Sequence, residues 1–310
     1  MKVGILGTGF GAHHAAIYTQ TLGIDTIKIF GRSKSKLEKI QANLHIEVTD
    51  TVEDILDDPS ISLVDICLPS HLHKEYIIAS LQKGKDVFCE TPLCYTQEDL
   101  IAIKEASRQY PNKVFVNQFI KFCPEFQLIK EAVEDNIYGQ LKAIHLKRST
   151  APLWGDLGYD RIVTNLMIHE IDFITWLLGN TKRISAFGSS SRQDQAYVSA
   201  HLTYDNTLVE ITASSMMPLS YPFTVSYDAI FENASLNFCE QCFEKGSKVT
   251  LTEYTHDGSK EIQLHIVDSA KESIDHVLAC LNNDVQSIIT VDDAIRSLEV
   301  AGQIKDHIMK

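Results

Sequence analysis

The feature that most constrains the fold is a glycine-rich turn almost at the start of the chain. It reads Gly7-Thr-Gly-Phe-Gly-Ala12, follows an apolar run at 3–6 and precedes a helical pattern. A strand, a tight turn and a helix in this order bind dinucleotide phosphates, because the helix N-terminus offers free N–H groups. Gly7 permits the turn, Gly9 lets the backbone approach a pyrophosphate, and Ala12 allows close helix–strand packing. The predicted cofactor-binding turn comprises Gly7, Thr8, Gly9, Phe10, Gly11 and Ala12.

Short apolar runs alternate with helical patterns over the first third of the 310-residue chain. The runs are at 3–6, 26–30, 63–68, 86–90 and 113–117, and helical patterns lie at 35–42, 74–83 and 97–108. This alternation predicts βαβ units and a parallel sheet with helices on both faces.

The pattern changes beyond residue 119. Helices are predicted at 125–134, 163–178, 271–282 and 291–308, and strands at 141–147, 184–189, 196–204, 208–214, 223–230, 235–238 and 248–254. Turn residues between successive strands indicate a largely antiparallel second sheet. We therefore predict an α/β protein, with an N-terminal Rossmann dinucleotide-binding domain over 1–118 and a C-terminal α+β domain with a large, mostly antiparallel sheet over 119–310.

Charge and composition exclude several classes of protein. The formal net charge of −13 argues against nucleic-acid binding and against binding to an anionic membrane surface. The seven cysteines form no disulfide framework, and the Cys239–Cys242 pair lacks a second pair for a zinc site, so we predict reduced thiols and no metal. The N-terminus lacks a signal-peptide pattern, and no apolar stretch reaches the roughly 18 residues of a membrane helix. We expect a soluble, cytoplasmic protein.

The second apolar run ends without the acid that usually holds the adenosine ribose of NAD. The segment reads Ile29-Phe-Gly-Arg-Ser-Lys34, so Arg32 and Ser33, with Lys34 or Lys36, are candidates to hold a 2′-phosphate. These residues favour NADP over NAD. The alternative is that Arg32 stacks on the adenine or faces solvent.

With these residues in view, the chain resembles the glucose–fructose oxidoreductase / inositol dehydrogenase / MocA family over nearly its whole length. The resemblance is carried by Val64-Asp-Ile-Cys-Leu-Pro-Ser-His-Leu-His73, by residues 79–92, by Phe119-Ile-Lys-Phe-Cys-Pro124, and by Asn165-Leu-Met-Ile-His-Glu-Ile-Asp172. It implies an enzyme that oxidises or reduces a sugar or cyclitol, with the nicotinamide between the two domains.

The resemblance also implies catalytic roles and two departures from the family pattern. His169 takes the place of the family's catalytic histidine, and an imidazole with a pKa of about 6.5 suits proton transfer in either direction. The lysine that usually hydrogen-bonds the reacting oxygen is Thr91 here, and the acid four residues before the histidine is Asn165. Lys121 stands at the family's usual arginine position, where it is a candidate to replace the missing charge; the alternative is a surface lysine.

Further site residues follow from strand ends and from the resemblance. Leu68, Pro69, Glu90 and Thr91 end parallel strands, where open α/β sheets bind ligands. The family motif implies a cis peptide before Pro92, and it places His71 and His73 beside the nicotinamide, although loop polarity is an equal explanation. The predicted substrate-binding residues are Lys121, Trp154, Tyr159, Arg161, Asn165 and His169.

We therefore expect an NAD(P)-dependent oxidoreductase that acts on a sugar-like small molecule. The alternatives are a non-catalytic nucleotide- or sugar-binding sensor, in which Thr91 and Asn165 mark the loss of chemistry, and glycoside cleavage through transient oxidation. An open second sheet predicts a homodimer or homotetramer formed through it.

Overall fold

The computed structural model describes residues 1–153, 155–265, 267–283 and 285–309, with the backbone alone at 283. The chain divides into two compact units. Unit 1 contains Met1–Phe119 and Asp268–Ile295, and unit 2 contains Ile120–Val267 and Arg296–Lys310. The sequence pattern predicts that everything after 118 belongs to the second domain. Residues 268–295 instead group with unit 1, because Val116 N–H donates to the Ile289 carbonyl and Ser273 Oγ donates to Asn117.

Each unit contains one sheet. In unit 1, six parallel strands lie in the order β3-β2-β1-β4-β5-β6. In unit 2, eight strands lie in the order β14-β13-β12-β11-β7-β10-β9-β8. The strands are β1 Lys2–Leu6, β2 Ile27–Phe30, β3 Glu47–Thr49, β4 Ile61–Ile66, β5 Asp86–Cys89, β6 Val114–Val116, β7 Leu141–Ser149, β8 Arg183–Arg192, β9 Gln195–Thr203, β10 Leu208–Ser214, β11 Phe223–Phe231, β12 Ala234–Phe243, β13 Gly246–Thr255 and β14 Gly258–Glu261.

The helices follow the predicted pattern closely. The α-helices are α1 Phe10–Leu22, α2 Lys34–Leu44, α3 Glu53–Leu56, α4 His73–Gln82, α5 Gln97–Gln109, α6 Pro124–Glu134, α7 Tyr159–Ile162, α8 Ile168–Leu178, α9 Ser269–Asn283 and α10 Val291–Ile308. Short 3₁₀ helices span Ile24–Thr26, Ser70–Leu72 and Phe119–Phe122, and a π-helical turn spans Val163–Met167. Within the described ranges, no helix is both long and apolar enough to cross a membrane.

The sheet of unit 1 confirms the predicted Rossmann arrangement. Its central strands are buried on both faces, as parallel strands between two helix layers must be, and their continuous apolar runs reflect this. The order 3-2-1-4-5-6 is that of dinucleotide-binding folds. The sequence pattern does not predict β3, because this three-residue edge strand is at least partly exposed at every position and has no apolar run.

The sheet of unit 2 is antiparallel except for the β7–β10 pair, which confirms the predicted mixed α+β unit. Its inner face packs on helices through an aromatic cluster: the Phe126 ring on α6 lies 4.8 Å from Phe173 on α8 and 5.6 Å from Tyr227 on β11. The fully exposed β14 was missed because nothing in its sequence alternates in polarity.

Candidate functional site

The glycine turn of unit 1 requires glycine at its first position. Gly7 has φ of +114°, and a Cβ there would lie 2.4 Å from the Cys67 carbonyl oxygen. Only glycine adopts this conformation without strain, and only glycine permits this approach between the ends of β1 and β4. The tight turn predicted from the motif is therefore built as expected.

The next two glycines have different surroundings. No atom lies within 4 Å of the position a Cβ would take on Gly9, so the backbone there faces open space that suits a pyrophosphate. A Cβ on Gly11 would lie 2.9 Å from Ile5 Cγ2, and Gly11 is buried while Ala12 is partly exposed. The close helix–strand packing assigned to Ala12 is thus made by Gly11, one residue earlier.

A cleft of about 510 Å³ opens beside this turn, at the carboxyl ends of β1, β2, β4 and β5. Open parallel sheets bind ligands at this edge. Among the residues predicted to bind the cofactor, Gly11, Ala12, His71 and His73 do not line it. Its wall is formed by Gly7, Thr8, Gly9, Phe10, Phe30, Gly31, Arg32, Ser33, Lys36, Cys67, Leu68, Pro69, Ser70, Glu90 and Thr91.

The end of β2 brings cations to one side of this cleft. Arg32 and Lys36 are exposed and line the wall together with the partly exposed Ser33, which precedes the first turn of α2. No carboxylate belongs to this part of the wall. The donors suit an anionic group, because guanidinium forks and helix N-termini both match phosphate oxygens.

The far side of the cleft is built by the Glu90-Thr91-Pro92 segment. The Thr91–Pro92 peptide is cis, as the family motif implied. His73 is fully buried, and its Nδ1 and Nε2 lie 3.0 Å and 2.7 Å from the carbonyl oxygens of Pro92 and Leu68. Burial lowers its pKa. His73 therefore joins two loops of the cleft from behind rather than facing into it, and His71 is exposed.

A buried polar cluster beneath the cleft was missed by the sequence analysis. His14 on α1 is 1% exposed, with Nδ1 2.8 Å from Asp65 Oδ2 and Nε2 3.1 Å from Glu90 Oε1. Donor atoms of His14, Cys67 and Glu90 lie within 4.8 Å of one another, a separation that would also suit a metal ion. A carboxylate oxygen opposite each ring nitrogen already accounts for this arrangement. Asp65 inside a buried strand was the available signal, because a buried charge needs a partner.

In unit 2, His169 lies in the first turn of α8, directly after the π-helical turn that contains Asn165. The predicted helix at 163–178 is thus α-helical only from Ile168, and the four-residue spacing between Asn165 and His169 does not follow α-helical geometry. Such π turns occur frequently at functional sites. Burial lowers the pKa of His169 well below its usual range, and the positive charge of Arg148 lowers it further.

Arg148 on β7 forms a buried ion pair that the sequence did not reveal. Its Nε and Nη2 donate to Glu170 Oε1 at 2.8 Å and 2.7 Å, and the two side chains are 7% and 1% exposed. The second oxygen, Oε2, has no hydrogen-bond partner among the described residues. The pair places a fixed cation near the imidazole of the neighbouring residue, His169.

Lys121 is fully buried in unit 2, so the alternative of a surface lysine is wrong. Its Nζ lies 5.9 Å from the centre of the Trp176 ring on α8, a cation–π distance. Lys121 therefore lies in the unit that carries His169, and its role in catalysis stays a prediction.

The other predicted substrate residues lie before α8. A Cβ on Gly188 would lie 2.7 Å from the Tyr159 ring, so Tyr159 packs directly on β8. Arg161 is partly exposed on α7. Trp154 lies outside the described residues, and a substrate role for these three stays a prediction.

Two sequence profiles of one family match the chain. A profile described as an oxidoreductase family with an NAD-binding Rossmann fold matches residues 1–118. A profile described as the GFO/IDH/MocA C-terminal domain matches residues 126–237. Together they cover most of the chain and both of its units.

Inositol 2-dehydrogenases are among the curated relatives. That of Ralstonia nicotianae is 23% identical over 297 residues, which are 93% of this chain and 85% of that protein. That of Pseudomonas fluorescens is 25% identical over 185 residues, which are 58% of this chain and 55% of that protein. The chain therefore spans only about half the length of several relatives that it matches.

A solved structure of similar fold is the UDP-N-acetylglucosamine 3-dehydrogenase of Acidithiobacillus ferrooxidans. It superimposes with a TM-score of 0.85 over 99% of this chain and 97% of that chain, at 18% sequence identity. Identity this low shows a shared fold. With both family profiles matched in order along the chain, the protein belongs to the glucose–fructose oxidoreductase / inositol dehydrogenase / MocA family of oxidoreductases.

Proposed function

We propose that the protein is an NAD(P)-dependent oxidoreductase that transfers hydride between nicotinamide and a hydroxyl or carbonyl group of a sugar, sugar derivative or cyclitol. The observation that carries the proposal is the cleft of unit 1, where open space above Gly9 adjoins the cations at the end of β2. Membership in the family supports the reaction type, and the names of the relatives support the class of substrate.

In this proposal the glycine turn and the wall from Arg32 to Thr91 hold the dinucleotide. When bound, nicotinamide supplies the two-electron acceptor or donor. His169 takes the proton of the substrate hydroxyl during oxidation, for which its lowered pKa keeps the imidazole neutral and able to accept. Asn165 orients the substrate through neutral hydrogen bonds, and Lys121 supplies the positive charge that a lysine at position 91 would have provided.

We further propose that NADP is preferred over NAD. Arg32, Ser33 and Lys36 line the cleft together, whereas Lys34 does not. Replacing Arg32 by alanine should weaken NADPH binding by about tenfold or more, the value of a charge-assisted hydrogen bond, and leave NADH binding almost unchanged. Lys34→Ala is the matched control, with a smaller effect expected. Equal losses of affinity for NADPH and NADH would refute the proposed preference for NADP.

Hydride transfer is tested by nicotinamide absorbance. The protein is mixed with each oxidised and reduced nucleotide, together with cyclitols, sugars, sugar nucleotides or a protein-free metabolite extract. We expect a redox change that His169→Ala abolishes and that His307→Ala, an exposed histidine on α10, leaves intact. Nucleotide binding without any redox change would favour the sensor alternative, and turnover without net change of the nucleotide would favour glycoside cleavage.

The homo-oligomer remains a proposal, with a second copy of this chain on the open face of the unit 2 sheet. A shallow cavity of about 720 Å³ lies there, and Leu208 and Ile230 are 62% and 49% exposed beside it. His145 and Glu210 are register partners on β7 and β10 and line the same cavity, where a twofold-related copy can pair polar groups with polar groups. Leu208→Lys should reduce the mass seen by sedimentation towards the 34.8 kDa monomer, whereas Leu219→Lys, outside the sheet, should not.

Location in the cytoplasm stays a prediction.

A further inference from the structure

The buried cluster around His14 connects the glycine-turn helix to the wall of the nucleotide cleft. His14 lies on α1, Asp65 on β4, and Glu90 directly after β5. The cluster therefore joins three elements of unit 1 at the carboxyl edge of its sheet. No step of the proposed chemistry uses it.

The surroundings of His14 identify it as a cation. Each ring nitrogen faces a carboxylate oxygen, at 2.8 Å and 3.1 Å, and a neutral imidazole has only one N–H to donate. Burial on its own would lower the pKa of His14, but Asp65 and then Cys67 outweigh this, and the pKa lies far above its usual value. Phe88 stacks on the imidazole at 5.8 Å, and Cys67 and Tyr18 lie against the same groups.

The carboxylate of Glu90 is held by several donors. His14 Nε2 lies 3.1 Å from Oε1, Asn117 Nδ2 donates to the same oxygen at 2.8 Å, and Thr91 N–H donates to Oε2 at 3.3 Å. Asn117 is fixed in turn, because its amide oxygen accepts from Ser273 Oγ at 2.8 Å. His14 supplies the only full positive charge in this described set.

Glu90 and Thr91 also line the cleft. The glycine turn follows β1 and the candidate phosphate donors follow β2, so the adenosine half of a dinucleotide belongs on that side of the sheet. The second half then belongs over β4 and β5, where Glu90 and Thr91 stand. Whatever fixes Glu90 therefore shapes the part of the cleft that faces the reactive half of the cofactor.

We propose that His14 is a positioning residue of the nucleotide site: clamped between Asp65 and Glu90, it holds the Glu90 carboxylate and the Thr91 main chain at the wall of the cleft. The proposal rests on the proposed nucleotide binding. Without this cation, the carboxylates of Asp65 and Glu90 lose the positive charge between them, and Glu90 is held less firmly by its remaining donors, Asn117 and the Thr91 N–H. In the variant the repulsion between these two like charges weakens as the pH falls, so the loss depends on pH.

The groups that face His14 are Asp65 and Cys67 at β4, Glu90 after β5 and Tyr18 on α1. The Cys67 thiol and the Tyr18 phenol have pKa values raised by burial, so both stay neutral. The cation and its two carboxylates are then the charges that matter. Because the pKa of His14 lies far above its usual value, wild-type affinity should not vary with the charge of this residue between about pH 6 and about pH 9.

The test compares His14→Gln with the wild type. Each full-length protein is titrated with NADPH at about pH 6 and about pH 9, and binding is measured by the fluorescence of the nucleotide. At the higher pH we expect the dissociation constant of NADPH to be about tenfold larger for His14→Gln than for the wild type. Tenfold is the lower end of the loss of affinity seen when a group that orients a ligand-contacting side chain is removed. The defect should shrink at the lower pH. Phe88→Leu is the matched packing control, since it changes the ring stacked on His14 but no charge, and it should show no such pH dependence.

Unchanged affinity of His14→Gln, or the same loss and pH dependence in Phe88→Leu, would overturn the proposal. If His14→Gln does not fold, Asp65→Asn tests the same clamp, because the amide keeps the shape and removes one anion. A smaller rise of the dissociation constant is then expected, and no rise overturns the proposal. Failure of the wild type to bind either nucleotide would instead refute the proposed function.

Discussion

Replacing Arg148 by methionine is expected to destabilise unit 2 by about 3 to 5 kcal/mol, the cost of leaving one partner of a buried ion pair alone. Arg148 gives two donors to Glu170 Oε1, and Glu170 is 1% exposed. The other carboxylate oxygen has no partner among the described residues that would compensate. For a unit of this size, such a loss lowers the unfolding temperature by about 10 °C.

The pH dependence of this loss has a definite sign. Burial raises the pKa of Glu170, and the charge and hydrogen bonds of Arg148 lower it again. Without Arg148 the folded-state pKa rises further above the unfolded value, so the folded chain binds the proton more tightly. Stability of the variant is then greatest below the unfolded pKa and is lost as pH rises through the folded pKa. The deficit relative to wild type should therefore be smaller at about pH 5 than at about pH 8.

Urea denaturation followed by tryptophan fluorescence measures this loss, because both tryptophans, Trp154 and Trp176, belong to the unit 2 part of the chain. Lys142→Met is the matched control. Lys142 lies on the same strand, β7, and its Nζ forms an exposed ion pair with Glu232 Oε1 at 2.8 Å. Breaking this exposed pair should leave stability almost unchanged.

The double variant Arg148→Met/Glu170→Leu separates the pair from its packing. Replacing both charges by apolar side chains of similar volume should return stability to within about 1 kcal/mol of wild type. If the two single losses simply add, or if Arg148→Met unfolds as readily at low as at high pH, the reasoning about an uncompensated carboxylate is refuted.

Three further outcomes are expected. Gly7→Ala should destabilise unit 1 and abolish nucleotide binding, because its Cβ would meet the Cys67 carbonyl at 2.4 Å, as thermal unfolding and NADPH titration will show. Gly9→Ala should keep the unfolding temperature of wild type and lose only binding; a lowered unfolding temperature would contradict the open space above this residue. The oxidation rate should stay level as pH falls through the usual histidine range, since the pKa of His169 is lowered; a decline centred near 6.5 would contradict its role as the buried base.

The fold was predictable from the sequence because its signals are local. A glycine motif after an apolar strand, alternating runs and polarity patterns together predicted both sheets. The return of residues 268–295 to unit 1 could not be predicted, since it depends on the long-range Val116–Ile289 and Ser273–Asn117 hydrogen bonds. Likewise, the pattern that gave a helix from 163 does not distinguish an α turn from a π turn.

Features of the candidate site could be predicted where the residues are consecutive in sequence. They could not be predicted where the site is assembled from distant strands. The turn at Gly7, the cations near Arg32 and the cis bond before Pro92 each lie in one short segment. His14 with Asp65, and Arg148 with Glu170, are separated by 51 and 22 residues, so only the fold brings them together. A charged residue in an apolar segment indicated that a partner must exist, but could not indicate which.

With Thr91 and Asn165, the chain lacks one cation and one anion of the family pattern. The charges that surround His169 therefore differ from those of the family pattern. A carboxylate four residues before the histidine would favour the imidazolium form, whereas here burial and the Arg148 cation favour the neutral form. In its neutral form the imidazole has a free nitrogen that is able to accept the proton of a hydroxyl. The two departures therefore leave the proposed acid–base residue His169 in place, with surroundings that favour its neutral form.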